Sequence, residues 1–205
     1  MAATASRRTY APRAPVEERR KQLLDAALKL VVSEGHTAAT MEAVARQAGV
    51  SKPVIYGVYA NRADLLDALL RREQEEGLRQ VAAVVPDRLD PAGDLGAQLA
   101  RIVDDLLRAV RAAPERWHCI VMPMPDMPAQ FHAAREYART LVLHRTEEMA
   151  GEFLRAAGAS PDLSPDLVAH AVIALFEMAA RLVLTAPEKY SPERITATVR
   201  AALNH

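Results

Sequence analysis

The chain has 205 residues, enough for one or two domains, and its 50% apolar and 25% charged residues are typical of a globular protein with a solvated surface. A single cysteine, Cys119, excludes an intramolecular disulfide framework and suits a reducing cytoplasm, and no apolar run approaches the ~18 residues of a membrane span. The formal net charge is zero, but residues 1–62 carry ten Lys or Arg and five Asp or Glu, a balance of +5 that leaves −5 for residues 63–205 and favours a polyanion-binding N-terminal part.

Residues 1–14 lack an apolar face and include Pro12, which predicts a disordered basic arm. Its three arginines either add phosphate or minor-groove contacts or belong to an untethered terminus. Residues 15–34 are predicted as a helix because apolar residues recur every three or four positions, and Gly35 ends it.

Residues 40–66, TMEAVARQAGVSKPVIYGVYANRADLL, predict two short helices joined by a tight turn, followed by the start of a third. Thr40 and Ser51 stand where helix N-caps belong, and Pro53 falls in the first turn of the second helix, where its missing N–H costs little. Gly49 suits the left-handed conformation at the end of the first helix. Two helices joined in this way form a helix-turn-helix, which places its second helix in the major groove of DNA.

Residues 23–66, LLDAALKLVVSEGHTAATMEAVARQAGVSKPVIYGVYANRADLL, resemble the DNA-binding domain of TetR-type transcriptional repressors. The resemblance lies in the order of features: an Ala-rich helix ending at glycine, Thr40, the run Ala48-Gly49-Val50-Ser51, and an aromatic pair at Tyr56 and Tyr59. It covers about residues 16–70. Val58 departs from the pattern, because many members carry a polar residue there.

The position of Lys52, Val54 and Thr40 in the motif, and the resemblance at Tyr56, Tyr59 and Arg62, indicate how the motif would meet DNA. Lys52 and Val54 would reach base edges and Tyr56 would contact DNA, whereas Tyr59 would pack in the core. Thr40 and Arg62 would meet phosphate. The predicted DNA-binding residues are Thr40, Ser51, Lys52, Pro53, Val54, Tyr56 and Arg62.

The remaining chain predicts helices over residues 62–85, 94–112, 114–122, 129–157, 165–185 and 192–203, separated by Pro- and Gly-containing connectors. The fold is therefore predicted as all-α with about nine helices: a disordered arm (1–14), a three-helix helix-turn-helix domain (15–62), and a C-terminal helical ligand-binding and dimerisation domain (63–205). The segment 165–185 is apolar almost all round, which predicts burial on several sides. The resemblance implies a homodimer through a four-helix bundle of the last two helices, and the alternative is that both are intramolecular core.

A region around residues 117–131 joins aromatic, Met and Pro residues in a way that favours a mainly apolar small-molecule cavity. The alternative is that these side chains simply fill the core. The predicted effector-binding residues are Trp117, His118, Met122, Met124, Met127, Phe131, His132, Phe153, Phe176, Met178 and Arg181.

No catalytic residue, cofactor or metal site is predicted, because no nucleophile–base pair, Gly-rich phosphate loop or His/Cys ligand pair at helical spacing is present in the sequence. The sequence and the resemblance together therefore predict a cytoplasmic, homodimeric repressor that binds a near-palindromic DNA operator and is released by a small apolar or aromatic effector. Two alternatives stay open: a sequence-nonspecific DNA-binding protein without an effector, and a helical enzyme with an appended helix-turn-helix.

Overall fold

A computed structural model describes residues 15–90, 93–123 and 129–203, except for the side chains of residues 129–131 and 134. The predicted basic arm, residues 1–14, lies outside the described residues. Within them the fold is all-α, which confirms the prediction, and it contains nine α-helices and one short 3-10 turn, His36–Ala38. The helices are α1 (Val16–Glu34), α2 (Met41–Gln47), α3 (Lys52–Tyr56), α4 (Arg62–Val84), α5 (Leu95–Ala112), α6 (Pro114–Val121), α7 (Ala129–Ala156), α8 (Pro165–Thr185) and α9 (Pro192–Leu203).

Side-chain caps fix the starts of three helices. The side-chain oxygens of Thr40, Asn61 and Asp94 accept hydrogen bonds from backbone N–H groups three residues later, at 3.1, 2.9 and 2.8 Å. Each bond satisfies an N–H that has no partner within the helix. Ser51 occupies the N-cap position of α3, but its side chain makes no capping bond, so the expectation that it caps the helix is wrong in that respect.

Two apolar cores organise the chain. The first is formed by α1, α2, α3 and the first half of α4, with Leu23, Ile55 and Leu65 fully buried. The second lies between α5, α6 and α8, around Leu107 and Trp117. The long helix α4 runs past both cores, which places the helix-turn-helix at one end of the molecule.

The composition of α8 predicted burial on several sides, and this prediction is wrong. Ala169, Ile173 and Ala180 face the interior, whereas Leu167 and Leu175 on the opposite side are 67% and 60% exposed. The main neighbour of α8 is α7, and α9 packs on α5 instead, where the Thr196 side chain bonds Asp104 at 3.2 Å. An apolar composition thus gives the helix one inner and one outer apolar face.

By length and composition α8 is also apolar enough to cross a membrane, so the expectation that no run approaches such a span is wrong. A single helix of this kind is weak evidence for a membrane, because packed helices of soluble proteins meet the same criterion. Glu177 and Arg181 lie within α8, and Arg139 of α7 pairs with Glu177 at 3.2 Å.

Candidate DNA-binding surface and effector region

The turn between α2 and α3 is held rigidly by backbone hydrogen bonds. Gly49 has φ +66°, a conformation that side chains with a Cβ rarely adopt. The N–H of Val50 donates to Ala45 at 2.9 Å and that of Gly49 to Arg46 at 3.1 Å, the pair of bonds of a Schellman motif. The Gln22 side chain of α1 donates to the Ala48 carbonyl at 2.7 Å. The supporting helix therefore fixes the angle at which α3 leaves the domain.

Helix α3 has one buried and one exposed side. Ile55 is fully buried in the first core. The predicted reading residues are exposed: Lys52 and Pro53 at the start of the helix, with Val54 at 36% and Tyr56 at 48%. Tyr59 is 6% exposed, in agreement with a packing role. An exposed apolar–aromatic face at a helix N-terminus is suited to base edges and thymine methyl groups.

Lys52 forms an ion pair with Glu42 of α2. Its Nζ lies 2.8 Å from Oε1 of Glu42 on α2, and both side chains are at least half exposed. The hydrogen bond and charge of Glu42 raise the pKa of Lys52, and those of Lys52 lower the pKa of Glu42. Exposed pairs contribute little net stability, so Lys52 can exchange this carboxylate for a base or phosphate oxygen.

Thr40 and Arg62 both lie beside the start of α2. The Thr40 hydroxyl accepts from Ala43 and retains its own proton for donation. The Arg62 guanidinium donates to the carbonyls of Ala39 at 3.0 Å and His36 at 2.6 Å. Arg62 therefore ties the start of α4 to the turn before α2, and a phosphate contact would have to use its other N–H groups.

Four of the predicted effector residues come together where α6 meets α8. Trp117 is 2% exposed, meets Phe176 edge-on with ring centroids 5.8 Å apart, and donates from Nε1 to the Gln80 side chain at 2.9 Å. Arg181 donates to the Val121 carbonyl at 3.1 Å, and Met122 packs against the same core. At Trp117 this packing favours the alternative that the side chain fills the core.

The other predicted effector residues do not join this cluster. Phe153 lies 18 residues beyond Arg135 on α7, and since Arg135 contacts the Met122 carbonyl, Phe153 is about 27 Å along the helix from it. Met178 is 48% exposed on the outer side of α8, and His132 is exposed in the first turn of α7. Met124, Met127 and the side chain of Phe131 lie outside the described residues.

His118 is half-buried beside Trp117, and burial lowers its pKa, which favours the neutral imidazole. Among the described residues, no group of three His, Cys, Asp or Glu side chains is arranged to hold a metal ion. Two open grooves of about 690 and 510 Å³ are lined mainly by charged side chains of α7 and of α1 with α4, respectively, and none of the predicted effector residues lines either groove.

Glu73 is a buried residue that the sequence reading missed. Its segment of α4 is rich in charge, yet its side chain is 1% exposed between the guanidinium groups of Arg72 and Arg116. One signal was available: Glu73 continues the stripe of Leu66, Leu69 and Leu70 at helical spacing.

The helix-turn-helix also matches known proteins. Residues 23–69 match the family described as "Bacterial regulatory proteins, tetR family". The HTH-type transcriptional activator FasR of Mycolicibacterium smegmatis is 41% identical over 78 residues, which are 37% of this chain and 36% of that protein. The helix-turn-helix region of this chain is therefore of the TetR type. The resemblance of residues 23–66 to TetR-type regulators is thereby confirmed.

Other transcriptional regulators match over different lengths. The regulator BetI of Escherichia coli is 29% identical over 142 residues, 67% of this chain and 71% of that protein. The aligned region spans about a third to just over half of the first curated relatives' length, at 36, 35 and 56%. These relatives are transcriptional regulators by name.

Solved TetR-type structures share the fold along nearly the whole chain. A TetR-like regulator from Rhodococcus sp. RHA1 has a TM-score of 0.73 at 22% identity, covering 93% of this chain and 96% of its own. FadR of Bacillus subtilis, solved in complex with stearoyl-CoA, has a TM-score of 0.69 at 14% identity, covering 89% and 96%. At these identities the likeness establishes the fold alone.

Proposed function

We propose that this protein is a homodimeric repressor that binds a near-palindromic operator through α3 and leaves it when a small effector occupies the C-terminal domain. The observation that carries this proposal is the exposed face of α3, set at a fixed angle by the Gly49 turn and surrounded by a basic N-terminal part. Because such a helix reads one half-site, a dimer would read two, with centres about one helical turn or a multiple apart.

The contacts are assigned by position on this surface. Lys52 and Val54 face base edges, Tyr56 contacts the DNA beside them, and Thr40, Ser51 and Arg62 lie towards the phosphates. The hydroxyl of Ser51 makes no capping bond, so it is able to donate to a phosphate oxygen.

Selection from a random DNA library with the full-length protein tests this proposal. The recovered sequences should contain an inverted repeat, and the protein should bind that duplex at least ~10³-fold more tightly than random DNA at physiological salt. Lys52→Ala should weaken this binding, whereas Arg79→Ala, at an exposed Arg distant on α4, serves as the charge-matched control. Equal affinity for both duplexes would support the sequence-nonspecific alternative instead.

The dimer is proposed to form through the outer apolar face of α8. This face consists of the exposed side chains of Leu167, Leu175 and Met178, and Tyr137 and Leu141 of α7 are exposed as well. The ion pair between Arg139 and Glu177 brings this part of α7 level with Leu175. Because α9 packs on α5, the α7–α8 pair is favoured over the α8–α9 pair as the bundle.

The effector is proposed to be a largely apolar or aromatic compound with one or two hydrogen-bonding groups, bound beside Trp117, Phe176 and Arg181. Long-chain acyl thioesters belong in the screen because the structural neighbour from Bacillus subtilis was solved with stearoyl-CoA. Trp117 is the only tryptophan, so its emission reports binding directly. A compound that quenches Trp117 should lower operator affinity by the same coupling factor with which operator lowers its binding.

The direction of regulation is part of the proposal, since the relatives include an activator, FasR, and a nicotine-responsive repressor, HdnoR, by name. A reporter gene behind the selected operator should be silenced by the protein and released by the effector. Higher expression in the presence of the protein would make it an activator.

A further inference from the structure

Helix α6 belongs to both cores, although it has only eight residues. Cys119 is buried in the first core, among residues of α1, α2 and α4. Trp117 and Val121 are buried in the second core, with α5 and α8. The same short helix therefore contacts the supporting helix of the DNA-binding domain and the interior of the effector domain.

A chain of ion pairs joins α1, α4 and α6. The two carboxylate oxygens of Glu73 on α4 accept hydrogen bonds from Arg72 at 2.7 Å and from Arg116 of α6 at 3.0 Å. The Arg72 guanidinium also donates to Asp25 of α1 at 2.7 Å. We call these four residues, Asp25, Arg72, Glu73 and Arg116, the ion junction.

One face of α4 holds α6 in place beside the ion junction. Glu73 is followed at helical spacing by Gly77 and Gln80. A Cβ atom on Gly77 would lie 2.5 Å from the Cδ1 atom of Ile120, so the missing side chain allows α6 to approach closely. Gln80 accepts the hydrogen bond of Trp117 at 2.9 Å. Because ionic, steric and polar contacts all define this position, α6 cannot slide along α4 without losing one of them.

The physics of buried charge explains what the ion junction contributes. A buried ion pair adds little net stability, because desolvation offsets the attraction, but loss of one partner is costly, since a buried charge is then left uncompensated. The carboxylate of Glu73 is therefore stable only when its arginines are in place. Apolar side chains of the same volume would tolerate small shifts of α1 and α6, whereas the ion junction favours a single arrangement.

We propose that Glu73 is a positioning residue that holds α1 and α6 at one setting on α4, so that a displacement of α6 in the effector domain reaches the helix-turn-helix. This inference rests on the proposed function, because it assigns the route by which effector and operator affect each other. The route runs directly from α6 to α1 as well as along α4.

Cys119 provides the probe for this inference. It is the only cysteine and is 3% exposed, and burial raises the pKa of its thiol to about 12. The thiol should therefore react slowly with a thiol reagent as long as α6 stays packed on α1. Reaction with 5,5′-dithiobis(2-nitrobenzoate) then measures how often α6 separates from α1. In the full-length protein, Glu73→Gln should raise this rate about tenfold or more. The control, Glu75→Gln, alters an exposed carboxylate of the same helix and should leave the rate unchanged.

The decisive readout is the effect of DNA on that rate. The selected operator should slow the labelling of Cys119 about fivefold or more in the unmodified protein. The reason is that DNA bound to the helix-turn-helix fixes the position of α1, which keeps the ion pairs of the ion junction formed and α6 packed on α1. Glu73→Gln should abolish this protection. Arg116→Lys, which keeps the charge, should retain part of the protection of Cys119 by operator, and Arg116→Gln should lose this protection. These two variants test the inference if Glu73→Gln does not fold. A purely structural role would lower thermal stability and leave the protection ratio intact.

The outcomes separate this inference from the proposed function. If the unmodified protein binds the operator specifically and Cys119 is not protected, or if Glu73→Gln keeps the full protection, the ion junction is not the route and the inference is wrong. If operator and random DNA bind equally, the proposed function is wrong and the inference falls with it. In that case, equal rates of Cys119 labelling in Glu73→Gln and Glu75→Gln would show in addition that the ion junction does not hold α6 against α1.

Discussion

Replacing Leu175 with Glu should separate the proposed dimer into folded monomers. Leu175 lies on the outer face of α8 and is 60% exposed in the protomer. A charged side chain at such a position is compatible with the folded protomer, and a surface change of this kind typically alters the free energy of unfolding by less than about 0.5 kcal/mol. The same charge at a dimer interface would have to lose its hydration.

The size of the effect follows from the exposed area of this leucine. Complete burial of a leucine side chain contributes about 1.5–3 kcal/mol, so covering the 60% that is still exposed contributes about 0.9–1.8 kcal/mol. A twofold interface contains the contact twice, which gives about 1.8–3.6 kcal/mol per dimer. The dimer dissociation constant should therefore rise about 20- to 400-fold, and more if the two carboxylates remain ionised in the interface.

Sedimentation equilibrium across a range of protein concentrations measures this constant. Far-ultraviolet circular dichroism and thermal unfolding confirm that the variant is folded. Operator affinity should fall together with dimerisation, because both half-sites must be held at once. The matched comparison is Leu203→Glu, at a position 41% exposed on α9, which should leave the dimer intact.

Two results would refute this reasoning. A Leu175→Glu dimer as tight as the unmodified one would remove the outer face of α8 from the interface. Dissociation of Leu203→Glu instead would move the interface to the α8–α9 pair. An unmodified protein that is monomeric at micromolar concentration would contradict the dimer itself.

Lys52→Ala should cost about 1–3 kcal/mol of operator binding and relax specificity at one base pair, whereas Arg62→Ala should weaken binding to all sequences and flatten the salt dependence; competition titrations at several salt concentrations separate the two. Gly77→Ala should change the free energy of unfolding by less than about 1 kcal/mol relative to the unmodified protein, because the better helix propensity of alanine offsets the displacement of Ile120. The same substitution should shift the emission of Trp117, and an unchanged spectrum would contradict the close approach of α6 to α4. Burial holds the pKa of His118 below its ordinary 6.5, so the unfolded chain binds the proton more readily and stability should fall as the pH drops below about 6.5. Denaturant titrations should show a smaller loss in His118→Gln, and an identical pH dependence would rule out this histidine as a cause.

Features set by neighbouring residues could be predicted from the sequence. Thr40, Asn61 and Asp94 each bond an N–H three residues away, so the start of each helix is a local property. Gly49 similarly marks the end of α2 because the left-handed conformation is required at that residue. Helix boundaries and the exposed side of α3 could therefore be predicted.

Features set by distant partners could not be predicted in this way. Glu73 is buried because Arg116, 43 residues later, supplies its second counter-charge. The composition of α8 showed that the helix is apolar, but the side that packs is decided by α7 and by the second core. Met178 was assigned to a cavity and lies on the outer side for the same reason.

The position of Cys119 in the first core has a consequence for hybrid regulators. Joining residues 15–90 of this chain to the effector domain of another regulator would remove Cys119 from the core and Arg116 from Glu73. In the hybrid, residues 15–90 would then have an uncovered apolar surface, and the buried carboxylate of Glu73 would have one counter-charge fewer. A hybrid should therefore keep Arg116 and Cys119 of α6 together with α1 to α4.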